Sequence, residues 1–277
     1  AGRTVYGYCE AAEKGGNSMK SVNYFKAEAL KHRHSSVSRL TILMPLICVL
    51  MSASLTHVYF AVDSYNWWYI GLAPGFIGLL CGIISEKDKK LGNRAIWSLS
   101  CDMKKVWDAK VMYGIAVSGA VIFLLMGMIM IVSYLLETQM QVEFIIRPSF
   151  FAQLAASVLI WLSFCWQIPW CLFLAQTVGR IPMIIIHFVG YSLSAVIMAL
   201  SPVYMFFPGA LTSRMMCVVL KVMPNGLPAK VGEMTYAPRL LNPSSIPIGI
   251  AASIVWLALL WGITRIWYNR CVGKAHI

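Results

Sequence analysis

Histidines, cysteines, carboxylates and glycine-rich loops carry most protein chemistry, and this chain gathers none of them into a constellation. His57 and His187 stand singly in apolar surroundings. A lone histidine there is more often a hydrogen-bonded packing residue than a ligand. The eight cysteines (Cys9, Cys48, Cys81, Cys101, Cys165, Cys171, Cys217 and Cys271) include no CxxC pair and no Cys/His group with zinc spacing. No GxxxxGK[ST] phosphate loop is present. The reading is no catalytic residue, no metal and no cofactor on this chain. If the chain moves a solute, the energy must come from a partner ATPase.

One stretch has the form of a binding element. Between residues 86 and 110, Leu91, Ala95, Ile96, Leu99, Met103, Val106 and Trp107 recur at three- and four-residue steps. Lys87, Lys89, Lys90, Arg94, Lys104, Lys105 and Lys110 surround them. Such a face suits a groove on a soluble partner. Ile96, Trp97, Leu99, Met103, Val106 and Trp107 are the docking candidates, with Trp97 and Trp107 as anchors, because buried aromatics dominate interface energetics. A basic helix resting on lipid headgroups fits the same pattern.

The elements that position this stretch are membrane spans. Hydrophobic residues make up 59% of the 277 and charged residues 12%, with mean hydropathy +0.70. A soluble domain carries about a quarter charged residues. Six apolar runs predict an all-α integral membrane protein with spans over 40–62, 67–85, 111–136, 151–178, 183–207 and 248–267. Under that topology five of the 23 Lys and Arg (Arg147, Arg214, Lys221, Lys230 and Arg239) lie on one side, and 18 lie on the other. The positive-inside rule then puts both termini in the cytoplasm. The same asymmetry explains the net charge of +12 without nucleic acid. No span interior carries a carboxylate, and none pairs a Lys or Arg with an acid. This speaks against ion coupling and against an intramembrane protease.

Residues 1–18 read as a leader, non-native or disordered, with a start at Met19. Residues 19–39 read as an amphipathic cytoplasmic surface helix with Tyr24, Phe25, Ala29 and Leu30 on one face. Residues 40–277 read as one six-helix membrane domain with a cytoplasmic loop at 86–110 and an outer segment at 208–247. Pro45 is expected near a helix start. The link at 63–66 separates spans one and two, and Tyr65, Trp67, Trp68 and Tyr69 form an interface belt. Gly71, Gly75, Gly78 and Gly82 share one face of span two, which needs a helix at close approach, in this subunit or another. Pro74 predicts a kink there, and Pro169 a break in span four. The outer segment 208–247 carries an amphipathic piece at 211–222 and a turn at 224–228, consistent with a half-inserted hairpin.

Four stretches carry a family resemblance: NYFKAEALKHR (23–33), YNWWYIGLAPG (65–75), the basic segment ending MKKVWDAK (103–110) and MPNGLP (223–228). They resemble lantibiotic-immunity ABC transporter permeases of the MutE/EpiE type, the E and G subunits of bacterial FEG exporters. Ser100-Cys101 departs from the proline-containing turn expected there. The resemblance implies a type-2 ABC exporter in the bacterial cytoplasmic membrane. Its parts are two six-span permease chains and a homodimeric ATPase that holds the ATP and Mg. The implied substrate is a lantibiotic-type cationic peptide, expelled from the membrane lipid. It places the 86–110 loop on the ATPase. Asp63, Trp67, Trp68, Tyr69, Glu137 and Glu143 are the candidate peptide contacts. Open alternatives are a permease for bacitracin or another amphiphile, and a membrane sensor or structural subunit.

Overall fold

The computed structural model describes residues 21–89 and 102–271. The leader call on 1–18 and the docking candidates Ile96, Trp97 and Leu99 lie outside the described residues. Ten α-helices cover most of the rest: α1 (Ser21–His32), α2 (Ser36–Leu55), α3 (Phe60–Trp67), α4 (Ala73–Lys89), α5 (Met103–Gln139), α6 (Phe150–Phe164), α7 (Gln167–Thr177), α8 (Arg180–Ile197), α9 (Pro208–Val219) and α10 (Ser245–Cys271). They build six segments long and apolar enough to cross a membrane: Ser36–Leu55, His57–Asp88, Met103–Gln139, Phe150–Thr177, Arg180–Leu200 and Ser245–Cys271. All six expected spans are present as helices, with different boundaries.

The first boundary moves because the turn sits at Thr56, whose backbone leaves the helical region (φ −138°, ψ 44°). Asp63, Ser64 and Asn66 looked like a polar link. They are helical, and they are buried against neighbouring elements. The aromatic cluster therefore lies about 12 Å into the second span at 1.5 Å per residue. Tyr65, Trp68 and Tyr69 face the bundle core, and Trp67 alone is exposed. They are core residues, which corrects the interface-belt reading. Pro45 lies at mid-helix in α2, also against expectation.

Pro74 acts through a π turn over Trp68–Leu72, closed by the Ala73 N–H on Trp68 O. Proline has no N–H to give the carbonyl four residues back. That carbonyl, Ile70 O, instead accepts from Ser192 Oγ on α8 at 3.3 Å. In span four the helix breaks at Cys165–Trp166, one turn before Pro169, whose ring crowds the carbonyl of residue 165. Gly179, at φ 93°, makes the tight turn into span five.

The second and fourth spans are the interior pair: in their apolar 18-residue stretches 67% and 72% of the residues are buried, against 11% in the sixth. Ile185, Val189 and Leu193 on α8, and Val255, Leu259 and Ile263 on α10, face outward, as a lipid-facing surface requires.

α9 is enclosed by α6, α8 and α10, with Gly209 to Cys217 all buried. The chain returns from it through an irregular segment with one antiparallel bridge, Val222 to Pro228. The expected hairpin is thus one inserted helix with a non-helical return. Arg214 pins that return by donating to Ala199 O, Arg239 O and Ser245 Oγ at 3.2, 2.7 and 3.4 Å. The turn at Gly226 closes over the second span, where Asn66 Nδ2 donates to Met223 O at 3.1 Å.

Candidate functional site

A cluster of buried charged side chains sits at the end of the bundle that carries α1 and the last turn of α10, called here the basic end. α1 packs on α5. Its buried face is Tyr24, Glu28 and His32, not the apolar set 24, 25, 29 and 30. Leu30 is exposed. A surface-lying helix would hide its apolar side. This one turns a carboxylate inward because a cation waits there.

That cation is Lys110, fully buried on α5. Its Nζ donates to Asp88 Oδ2 at the end of α4 and to Glu28 Oε1 at 3.3 Å. Lys31 closes the figure, with Nζ 3.0 Å from Glu28 Oε2 and 3.2 Å from Asp88 Oδ1. Lys31, Glu28, Lys110 and Asp88 thus form a ring of alternating charge with no net charge. Each ion has two counter-ions, which offsets the large desolvation penalty of burial. Burial alone would raise the Glu28 pKa. Lys110, Lys31 and the hydrogen bond to His32 outweigh it and hold the carboxyl well below its usual range. His32 Nε2 lies 3.2 Å from Glu28 Oε1, and its ring stacks on Tyr113 with centroids 5.0 Å apart. Lys87 Nζ donates to Lys31 O, so α4 also caps the end of α1.

The ring corrects the expectation that no span pairs a basic residue with an acid. Asp88 and Lys110 seemed to be loop residues because the charged run MKKVWDAK reads as solvent-exposed. It is the first turns of α5, started by Asp102 Oδ1 accepting the Lys104 N–H at 2.9 Å. α4 ends at Lys89 and α5 begins at Met103.

The same turns grip α10. Trp107 is fully buried, its Nε1 donating to Thr264 Oγ1 at 3.2 Å and its ring 4.8 Å from that of Tyr268. Asp108 accepts from Trp261 Nε1 at 2.8 Å and pairs with Arg265 at 2.8 Å. Val106 is buried as well, and Met103 is half-buried. Trp107 and Val106 are therefore internal packing residues, which corrects the assignment of both to a docking face and of Trp107 as an anchor. Tyr24 OH accepts the Asp102 N–H at 3.3 Å, so α1 touches described residues on both sides of 90–101, Asp88 and Asp102. Glu86 pairs with Arg180 at 3.2 Å and joins the second span to the fifth.

The glycine face comes together as a packing surface inside the subunit. A β-carbon on Gly75, Gly78 or Gly82 would meet Phe188, Ile184 or Arg180 of α8, while Gly71 faces open space. The six candidate peptide contacts do not converge. Asp63, Trp68 and Tyr69 are buried, Trp67 and Glu143 are exposed, and Glu137 pairs with Arg147 at 2.7 Å. His187 is buried, with Nε2 3.0 Å from Gln167 Oε1, a packing histidine. Among the described residues no group of three or more His, Cys, Asp or Glu could hold a metal ion.

Compared with known proteins, the chain matches no family model, no curated protein and no solved structure. Sequence reasoning missed Glu28, Asp88 and Lys110. One signal was available: a carboxylate alone among cations and apolar residues on the 23–33 stretch calls for a specific partner.

Proposed function

We propose that this chain is the permease subunit of an ATP-driven type-2 exporter that expels lantibiotic-type cationic peptides from the bacterial cytoplasmic membrane. The basic end faces the cytoplasm in this reading, which the charge asymmetry supports. ATP and Mg are held by a homodimeric partner ATPase, and a second six-span chain completes the pore.

The observation that carries this reading is the anchoring around residues 90–101. Both sides of that short segment are fixed to α1 by the charge ring, and the α5 side is also fixed to α10 by Trp107 and Asp108. A partner that pushes on 90–101, through Ile96, Trp97 and Leu99, moves α1 and spans two, three and six together. A lipid-surface helix needs no such anchorage. Glu143 stays exposed at the far end for a cationic amphiphile. Bacitracin or another amphiphile uses the same machinery, and the peptide class rests on the four resembling stretches.

The test is mild-detergent purification of tagged chain from native membrane, with mass spectrometry of stoichiometric partners. An ATPase with a phosphate-loop motif and a second six-span chain are expected. Trp97→Glu should release the ATPase while the chain stays inserted. The chain alone, in a preparation that keeps other ABC complexes intact, would overturn the proposal.

A further inference from the structure

At the far end a cleft of about 270 Å³ opens between the end of α5 and the start of α6. Met130, Ser133 and Tyr134 line one side, and Phe150 and Gln153 the other, with Arg147 at the rim. Ser133 lies six residues before the end of α5, about 9 Å in, and Gln153 lies about 5 Å into α6. In a spanning bundle this is headgroup depth, and the inference rests on the six helices crossing a bilayer. Tyr134 and Phe150 are 66% and 49% exposed, an amphipathic rim suited to that depth.

Two polar atoms of this cleft are unpartnered. Gln153 is 8% exposed, and its Nε2 donates to Pro148 O at 3.2 Å, which fixes the amide orientation and leaves Oε1 buried with no donor. Ser133 Oγ is likewise buried without a partner. Unsatisfied polar atoms next to hydrocarbon are costly. Arg147 pairs with Glu137 through one nitrogen, and its side chain is 70% exposed. A guanidinium has donors to spare for a phosphate.

We propose that this cleft binds the phosphoglycerol headgroup of a membrane phospholipid. The phosphate takes the Arg147 guanidinium and the Ser133 hydroxyl, and a headgroup hydroxyl donates to Gln153 Oε1. Lining side chains close both that oxygen and the Ser133 hydroxyl off from solvent, so seating the headgroup takes a side-chain shift. A choline headgroup has no donor to offer. An ethanolamine would bring an ammonium to a place where the nearby carboxylate, Glu137, is already paired, and a desolvated unpaired charge is disfavoured. The volume holds several waters at about 30 Å³ each, so a purely hydrated cleft is the competing state.

The experiment reconstitutes the full chain in nanodiscs of equimolar phosphatidylglycerol, phosphatidylethanolamine and phosphatidylcholine, and counts retained lipids by native mass spectrometry. Phosphatidylglycerol should be enriched. Arg147→Gln should lower the enrichment about tenfold, the loss of a charge-assisted hydrogen bond, and Gln153→Leu about fivefold. Soluble glycerol phosphate at millimolar concentration should not displace the lipid, whereas displacement would assign the site to the free phosphate ester and overturn the lipid assignment. Equal retention of the three lipids means a hydrated cleft and overturns the proposal. So does unchanged enrichment in both variants.

Discussion

Lys110→Met is the sharpest perturbation of the basic end. Methionine keeps the stem volume and removes only the ammonium. Glu28 and Asp88, 3% and 4% exposed, then share Lys31 as their one cation within the ring. Removing one partner of a buried ion pair costs about 3 to 5 kcal/mol. The lower half of that range applies, because Lys31 still reaches both carboxylates. Against a total stability of about 5 to 15 kcal/mol this is a large loss. The pH dependence follows from Glu28. Its folded pKa is depressed, so its stabilisation is present above the unfolded value of 4.5 and disappears as pH falls through the folded value. The variant lacks the largest of the attractions that depress that pKa, so its Glu28 protonates readily. The gap between wild type and variant should therefore be widest at neutral pH and narrow below about pH 4.5. Thermal or denaturant unfolding in one detergent at both pH values reads this out. Asp88→Asn, added to Lys110→Met, should recover part of the loss. A variant within about 0.5 kcal/mol of wild type at neutral pH, or a gap that ignores pH, refutes the charge-ring account.

Three further outcomes are expected. Gly78→Leu should separate spans two and five at a cost of about 1 to 3 kcal/mol, because a β-carbon there already lies 3.4 Å from Ile184. Gly71→Ala, which faces open space, should be neutral or slightly stabilising in the same unfolding assay. Peptide mapping after maleimide treatment at neutral pH should find Cys271, which is exposed, labelled. Cys217 should stay unlabelled, since it is buried and its thiol is pushed up to about 12. Labelled Cys217 in folded protein would contradict the enclosed placement of α9.

The number of spans was legible because an apolar run of about 20 residues has few other uses. Their ends were not. Asp63, Ser64 and Asn66 have turn-forming side chains, yet the turn falls at Thr56, where no sequence signal marks it. Tertiary burial overrides such local preference. MKKVWDAK looked exposed for a similar reason. Whether a lysine can be buried depends on its partners, and those of Lys110 are 22 and 82 residues away. Periodicity sees neighbours three and four residues apart and cannot report a counter-ion at that distance. The glycine face was legible as a demand for close approach, while the helix that meets it, α8, was not. The candidate site was therefore half legible: the segment was found, and its anchorage was not.

The charge ring also sets an order of events during synthesis. Glu28 leaves the ribosome 82 residues before Lys110. At about 5 to 20 residues per second this is an interval of about 4 to 16 s. In that time Glu28 has as partners only Lys31 and His32 of its own helix. α1 cannot seat until the first two spans are placed and the third has begun. The earliest-made helix of the described chain is thus among the later ones to dock, and its docking reports that the first three spans have been assembled.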